Sequence, residues 1–380
     1  MERLTGAIQN YAWGSTSLLA ELRGEEPSGE PEAEIWYGAH PGAATTLDDG
    51  TTLLERIEAD AVGLLGDSIV DRFGNRLPFL LKLLAAGSPL SIQAHPSMEQ
   101  AKAGFAAEDA AGIDRRAPNR SFKDDNHKPE LICALTHFEA LVGFRDSLAT
   151  SRLFGSIEFV GLHERLASDG PKAVACELLD PTKWDEGEVD ALVAELVEKC
   201  ANYEGEEWAK ESAMIGRLSA KYPGDPGIAV AALLNYTTLE PGEALYLSAG
   251  NMHAYLSGLG VEIMANSDNV LRGGLTPKHV DVANLLEVVV PDMIEPELVS
   301  IDSDGRYLTP APEFALRRLD VQTTPEVKGP CIVLATEGIV TVTQGSDVLE
   351  LGPTDAAWLG ADERAVVSGV ADQAWLASIG

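Results

Sequence analysis

Three short polar segments contain the side chains of this sequence that could do chemistry. The first runs from Ser91 to His95, the second from Asn126 to Glu130, and the third begins at His253. In an extended chain alternate side chains share a face, so Ser91, Gln93 and His95 would point the same way amid apolar sequence. Buried polar groups need partners, because leaving them without one costs free energy. The pattern is typical either of a hydrogen-bonded histidine at a strand end or of half a metal site.

Taken together, the three segments offer a plausible set of zinc ligands. Gln93 and His95 come from the first segment, Glu130 from the second and His253 from the third. Two histidines, a carboxylate and an amide oxygen suit zinc, with water completing an open catalytic position. Each residue alone could instead be a hydrogen-bonded group of the core. It is the joint set that favours a metal.

Positive charges within the same segments indicate an anionic ligand. The chain has 60 acidic and 28 basic residues, a formal net charge of −32. Against that background Lys82, Lys128, Arg272 and Lys278 all lie within the polar motifs. Arginine binds phosphate with two parallel hydrogen bonds, so the grouping predicts a phosphate-bearing ligand. The alternative is that Lys128 and Lys278 are surface lysines beside prolines.

The composition excludes several classes of partner. A chain this acidic repels nucleic acid and anionic membranes, so we expect neither as a partner. The four cysteines are scattered without CxxC spacing, which predicts free thiols in a reducing compartment. We see no signal-peptide pattern and no apolar run near the roughly 20 residues that span a membrane. We therefore expect a cytoplasmic protein.

Periodicity predicts a mainly β chain with a helical insertion. Strand patterns occupy residues 79–85, 90–95, 131–144, 243–247 and 252–256, and the capping box of Ser97 and Gln100 predicts a helix start. Between residues 146 and 224 apolar residues recur at helical spacing, and no site residue is predicted there. The last part of the chain has short alternating segments, which predict a small antiparallel sandwich or barrel. No histidine follows His279, so we expect no metal in that part.

Longer motifs resemble the signatures of the cupin-fold phosphomannose isomerases. They are LLKLLAAGSPLSIQAHPS, DDNHKPE, EALVGFR, LSAGNMHAYLSG and EIMANSDNVLRGGLTPKHVDV, and QNYAWGS near the start fits too. The match covers most of residues 1–290 in the same order and fades in the helical insertion and the C-terminal part. The resemblance implies a cupin (jelly-roll) catalytic barrel built from residues 1–145 and 225–292. A helical domain, residues 146–224, would be inserted between them, and a second, metal-free cupin-like domain, residues 293–380, would follow.

The resemblance also implies an activity and a cofactor. The family reaction interconverts mannose 6-phosphate and fructose 6-phosphate through ring opening and a cis-enediol. It implies one Zn²⁺ per chain, bound by Gln93, His95, Glu130 and His253, a small phosphosugar as the substrate, and a monomer.

Individual roles follow only by analogy with the family. Moving a proton between C1 and C2 requires a base and groups that stabilise the enediolate oxygens. Lys128 and Glu262 are the candidates for proton transfer, and Asp268 is the candidate for ring opening. Arg272 would steady the enediolate or the phosphate. The expected substrate-binding residues, with several at the phosphate end, are Lys82, Ser91, Lys278, Tyr255 and Trp13.

Two other functions remain open at this point. His95, Glu130 and His253 alone would form the two-histidine, one-carboxylate iron site of a cupin oxygenase. Gln93 as a fourth ligand and the basic residues argue against that alternative. A non-catalytic sugar-binding cupin would share the fold, but the complete set of ligands and cations argues against it.

Overall fold

The computed structural model describes residues 1–290, 296, 298–369 and 373–380. Its strands are β1 Glu2–Thr5, β2 Ala7–Gln9, β3 Glu34–Tyr37, β4 Thr46–Leu47, β5 Phe79–Ala86, β6 Gln93–Ala94, β7 Glu130–Ala134, β8 Phe138–Phe144, β9 Leu234–Leu239, β10 Ala244–Leu247, β11 His253–Ala265, β12 Leu271–Arg272, β13 Ala315–Asp320, β14 Glu326–Lys328, β15 Cys331–Glu337, β16 Val340–Gln344, β17 Asp347–Leu351, β18 Ala356–Leu359, β19 Arg364–Gly369 and β20 Gln373–Ser378. The α-helices are α1 Leu18–Arg23, α2 Leu53–Ala59, α3 Ala61–Leu65, α4 Asp67–Phe73, α5 Met98–Ala110, α6 Ser147–Ser156, α7 His163–Leu179, α8 Glu188–Ala201, α9 Ala209–Lys221, α10 Gly227–Ala231 and α11 Val282–Val288.

The long strand β11 organises the sheet that carries the predicted site. One half of β11 pairs with β5 and β7, and the other half pairs with β6 and β8, all antiparallel. A register shift between Tyr255 and Ser257 separates the two halves. Nearly every residue of β11 is buried, as its apolar and small composition favours. Segments far apart in sequence therefore meet along one strand.

The pairing of this sheet does not close among the described strands. Its main path runs β10-β7-β11-β5-β3-β2, with β6, β8, β9 and β12 attached beside it. The region is thus sheet-rich and flanked by helices, but the closed catalytic barrel that we expected is not formed by the strands described. The two ends of the path, β10 and β2, are edge strands that do not pair with each other, and a barrel requires that pairing.

The C-terminal strands form two further sheets. One has the order β13-β20-β15-β18-β1-β4 and the other β14-β19-β16-β17. Strand β1 pairs with β18, with Arg3 opposite Ala357. The first residues of the chain therefore add a strand to the C-terminal sheet. The expected boundary at residues 292 and 293 lies outside the described residues.

Helices occupy the predicted insertion, and the capping box is confirmed. Helices α6 to α9 lie between residues 147 and 221. At the start of α5, the Ser97 hydroxyl accepts a hydrogen bond from the Gln100 N–H, and the Gln100 side chain accepts one from the Ser97 N–H. In contrast, the expected strand over residues 90–95 is limited to Gln93–Ala94. Within the described parts of the chain, no helix has the length and apolar character needed to cross a membrane.

Candidate metal and substrate site

The structure brings His95, Glu130 and His253 together as a buried cluster. Strand pairing places His253 opposite Gln93, and β7 carries Glu130 along the other half of β11. The Nε2 atoms of His95 and His253 lie 3.3 Å from the two different carboxylate oxygens of Glu130. One ligand atom from each residue lies within 4.8 Å of the others, and all three side chains are almost fully buried. A single ion can contact all three at this spacing.

Both histidines are held in the form that binds a metal through Nε2. Nδ1 of His95 lies 2.7 Å from the carbonyl oxygen of Asn269, and Nδ1 of His253 lies 3.0 Å from that of Asn251. A carbonyl only accepts hydrogen bonds, so each Nδ1 carries the proton and each Nε2 presents a lone pair. Such contacts fix the tautomer and the ring orientation of metal-binding histidines.

The donor atoms of the cluster fit a divalent cation. His95 Nε2 and Glu130 Oε2 are buried without a hydrogen-bond partner among the described residues. Burial lowers the pKa of His95 to about 4, despite the opposing pull of Glu130. Burial alone would raise the pKa of Glu130, but Lys128 and the histidines outweigh it and hold that pKa well below its usual range. Neutral imidazoles and an ionised carboxylate are the forms that bind zinc.

Gln93 stands at the edge of this cluster. Its amide nitrogen lies 3.3 Å from Nε2 of His253. A half-turn of the amide exchanges its NH₂ group with its carbonyl oxygen, which would then face the same space. The side chain is thus placed to supply the fourth protein ligand.

A second group of buried charges lies beside the metal cluster. Lys82 Nζ lies 3.2 Å from Glu34 and 3.1 Å from Glu262, and all three residues are buried. Burial disfavours the ammonium, but the two carboxylates outweigh it and raise the pKa of Lys82. For Glu262, burial raises the pKa, and the nearby Lys82 only partly opposes this. Lys82 is therefore charged and already neutralised by protein carboxylates.

These groups face a cavity of about 550 Å³. The predicted site residues that line it are Trp13, Lys82, Ser91, Gln93, Lys128, Glu130, Tyr255, Glu262, Asp268, Arg272 and Lys278. His95 and His253 lie behind Glu130 as the other members of the metal cluster. Burial lowers the pKa of Arg272, and burial followed by the charges of Arg272 and Lys123 lowers that of Lys278. Mutually repelling cations at one end of a cavity suit an anionic group such as phosphate.

Asp268 is oriented by a histidine from the other side of the cavity. His40 Nδ1 accepts a hydrogen bond from the Gly42 N–H at 3.0 Å, so His40 Nε2 carries the proton. That Nε2 lies 3.5 Å from Asp268 Oδ1, and this contact lowers the pKa of Asp268. Asp268 is therefore an ionised carboxylate at the cavity wall.

Known proteins resemble this chain over nearly its whole length. The family model described as phosphomannose isomerase type I, catalytic domain, matches residues 1–147. Mannose-6-phosphate isomerase of Escherichia coli (strain K12) is 38% identical over 394 residues, which cover 96% of each chain. The chain belongs to the mannose-6-phosphate isomerase family. Mannose-6-phosphate isomerase 2 of Arabidopsis thaliana is 32% identical, with 98% of this chain and 91% of that protein covered.

Solved mannose-6-phosphate isomerases share the fold. A crystal structure of the Salmonella typhimurium enzyme, described as bound to its substrate fructose 6-phosphate and a zinc atom, has a TM-score of 0.91 and 35% identity, with both chains covered completely. A structure of a mannose 6-phosphate isomerase bound with zinc and yttrium also has a TM-score of 0.91, with 34% identity. This chain thus has the complete fold of a mannose-6-phosphate isomerase.

Several cavity residues of this family member were missed from the sequence. Glu34, Trp36 and His40 come from a segment that we interpreted only as strand and turn, although its glutamate and histidine were a usable signal. Lys221 and Tyr222, at the end of α9, also line the cavity. The expectation that the helical region contributes nothing to the site was wrong. The spacing of residues within α9 contained no sign of this contact.

Asn269 was missed as well, and it supports the metal cluster indirectly. Its buried side-chain amide donates to the carbonyl oxygens of Asp124 and Asn126 and accepts from the Lys123 N–H. Its backbone carbonyl holds His95. Asn269 therefore connects the segment that leads to Glu130 with the ring of His95.

Proposed function

We propose that this chain is a zinc-dependent isomerase that interconverts mannose 6-phosphate and fructose 6-phosphate through a cis-enediol, with Gln93, His95, Glu130 and His253 as the zinc ligands. The observation that carries the proposal is the buried His95–Glu130–His253 cluster beside a cavity with cations at one end. The names of the relatives, and the zinc and fructose 6-phosphate of the Salmonella typhimurium structure, support the same substrate and metal.

A bound zinc ion supplies a Lewis acid that stabilises negative charge on substrate oxygens. The chain's own residues would then hold the sugar and move its proton. We assign proton transfer between C1 and C2 to Glu262, because its carboxylate faces the cavity and burial raises its pKa above the usual range.

Lys128 is better suited to stabilise negative charge on the substrate than to act as the base. Its Nζ lies 2.9 Å from Glu130 Oε1, and both residues line the cavity. From that position it can donate a hydrogen bond to a developing enediolate oxygen.

The remaining residues divide between ring opening and phosphate binding. Asp268, oriented by His40, is placed to take or return the hydroxyl proton during ring opening. Arg272, Lys278 and Ser91 would bind the phosphate, and Trp13 and Tyr255 would line the sugar. We expected Lys82 at the phosphate end too, but its two carboxylate partners argue that it orients Glu262 instead.

Organisation and location complete the proposal. The catalytic region would comprise residues 1–145 and 225–292, with a helical unit at 146–224 and a second cupin-like unit at 293–380. A separate apolar cluster among the C-terminal strands, with Val333, Val342 and Leu359, supports the last unit. We expect a cytoplasmic monomer, and light scattering on the purified protein would check the oligomeric state.

A coupled assay for mannose 6-phosphate isomerisation tests the proposal. Activity should disappear on chelation and return with zinc but not with iron(II). Arg272→Ala should lose activity while retaining zinc, whereas Arg152→Ala, an arginine on the outer helix α6, should behave as the wild type. A folded, zinc-loaded protein without activity would refute the isomerase, and isomerase activity restored only by iron(II) would refute zinc as its metal.

A further inference from the structure

A second cleft, away from the metal cluster, combines three cations with an unsatisfied buried carboxylate. It has a volume of about 260 Å³ and lies between α4, α5, the segment before Lys128, and the C-terminal region. Its lining includes Arg72, Arg76, Lys102 and Glu313. None of these residues lines the larger cavity.

The three cations of the cleft form no salt bridge with a protein carboxylate within the part of the chain that the structure describes, although the chain has 60 acidic side chains. Arg72 donates to the Pro312 carbonyl oxygen at 3.3 Å and Arg76 to that of Phe73 at 3.0 Å, and Lys102 has the charge of Glu99 nearby on the same helix. The next arginines after α5 behave differently, since Arg115 and Arg120 both pair with Asp109. The lining of the cleft thus carries three basic side chains and two acidic ones, Asp125 and Glu313, on a protein that is strongly acidic as a whole.

Glu313 gives the cleft a second chemical feature. It is 5% exposed, and its Oε1 accepts a hydrogen bond from His127 Nε2 at 2.6 Å. Its Oε2 is buried without a hydrogen-bond partner among the described residues. A buried carboxylate oxygen without a donor costs free energy, so a donor group from a ligand would stabilise it.

We infer that this cleft is a second ligand site, for a small phosphate monoester that carries hydroxyl groups. Arg72, Arg76 and Lys102 bind its phosphate, and Glu313 Oε2 accepts a hydrogen bond from one of its hydroxyls. The volume corresponds to about nine water molecules at liquid density, which is room for a three- or four-carbon phosphate ester. This inference does not depend on the isomerase activity.

Calorimetric titration of the zinc-loaded, full-length protein with glycerol 3-phosphate tests the site. We expect Arg76→Glu and Lys102→Glu each to weaken binding by about tenfold or more, because each reverses a phosphate-binding charge. Lys210→Glu, an equal reversal on exposed α9, should leave it unchanged. Lys278→Glu in the large cavity should also retain binding at the cleft. Lys102 is exposed, so its variant should fold, which circular dichroism would verify.

The role of Glu313 is tested by a probe without hydroxyl groups. Methyl phosphate should bind the wild type more weakly than glycerol 3-phosphate, and Glu313→Ala should remove that difference. Absence of glycerol 3-phosphate binding, or its loss in Lys278→Glu alone, would overturn the second site. Equal affinity of the wild type for both probes would overturn the assignment of a hydroxyl to Glu313.

Discussion

Buried charges at this site occur as matched groups. Lys82 lies between Glu34 and Glu262, and Lys128 pairs with Glu130 beside His95 and His253. Removing one member of such a group leaves an uncompensated charge in a medium that solvates it poorly, which is far more costly than losing an exposed pair. A substitution of one of these site residues is therefore expected to lower the stability of the protein as well as its function.

Lys82→Met should lower the free energy of unfolding by about 3–5 kcal/mol, because two buried carboxylates lose their cation. Urea denaturation of the zinc-loaded protein measures this. The double variant Lys82→Met with Glu262→Gln should recover part of the loss. Lys210→Met, at an exposed lysine, should change the value by less than about 0.5 kcal/mol. Equal effects of the Lys82 and Lys210 variants would show that the buried pairing contributes nothing.

Asn269→Ala should weaken zinc binding by about 10- to 100-fold, as loss of groups that orient metal ligands does. The amide that is removed forms hydrogen bonds with Lys123, Asp124 and Asn126. These bonds position Asn269, whose backbone carbonyl oxygen holds the His95 ring. Competition with a chromophoric chelator gives the zinc dissociation constant. Asn266→Ala is the matched control, since the side-chain amide of Asn266 donates a long bond, to the Leu77 carbonyl oxygen at 3.4 Å. The same affinity in both variants would remove Asn269 from the support of the metal.

At the scale of elements, close approaches of backbone position the cavity wall. Gly274 has a φ of 110°, and a Cβ there would lie 2.4 Å from the Cα of Gly227 in α10. Only glycine allows both that dihedral and that contact. The loop after β12, which follows Arg272 and leads to Lys278, is thereby held against α10.

Gly274→Ala should destabilise the protein by about 1–3 kcal/mol and raise the KM for mannose 6-phosphate, because the loop must move away from α10. Thermal melting and steady-state kinetics measure the two effects. Gly216→Ala, in the middle of α9 with nothing within 4 Å of the added Cβ, should instead stabilise by about 0.5–1 kcal/mol with unchanged KM. A neutral Gly274 variant would show that this contact does not position the wall.

At the scale of the whole molecule, the apolar cores cross the proposed unit boundaries. One core combines Leu4 and Leu81 with Phe314 and Trp358. Another combines Leu141 of β8 with helical residues such as Leu196. Elements that share a core lose it together, so the units are expected to unfold as one.

Scanning calorimetry should therefore give one transition with calorimetric and van 't Hoff enthalpies that agree. Chelation of zinc should move that single transition to lower temperature rather than split it, because a ligand that binds only the native state stabilises all of it. Separate transitions, with only one sensitive to zinc, would show that the units are independently stable.

Sequence by itself determined the features that depend on residue type and near neighbours. The cluster of His95, Glu130 and His253 was identifiable because its donor atoms suit zinc and long motifs surround it. The capping box at Ser97 and the helical region followed from spacing within a few residues. Such patterns act over one or two turns of chain, so no long-range information is needed to interpret them.

Tertiary structure alone decided which distant groups meet. Strand β1 joins β18, His127 meets Glu313 across 186 residues, and Lys221 of the helical region reaches the substrate cavity. It also decided that Lys82 is neutralised by Glu34 and Glu262, and that the described strands of the main sheet do not close into a barrel. These outcomes depend on how whole sheets and helices pack to bury their apolar faces, and no local pattern of residues encodes the resulting contacts.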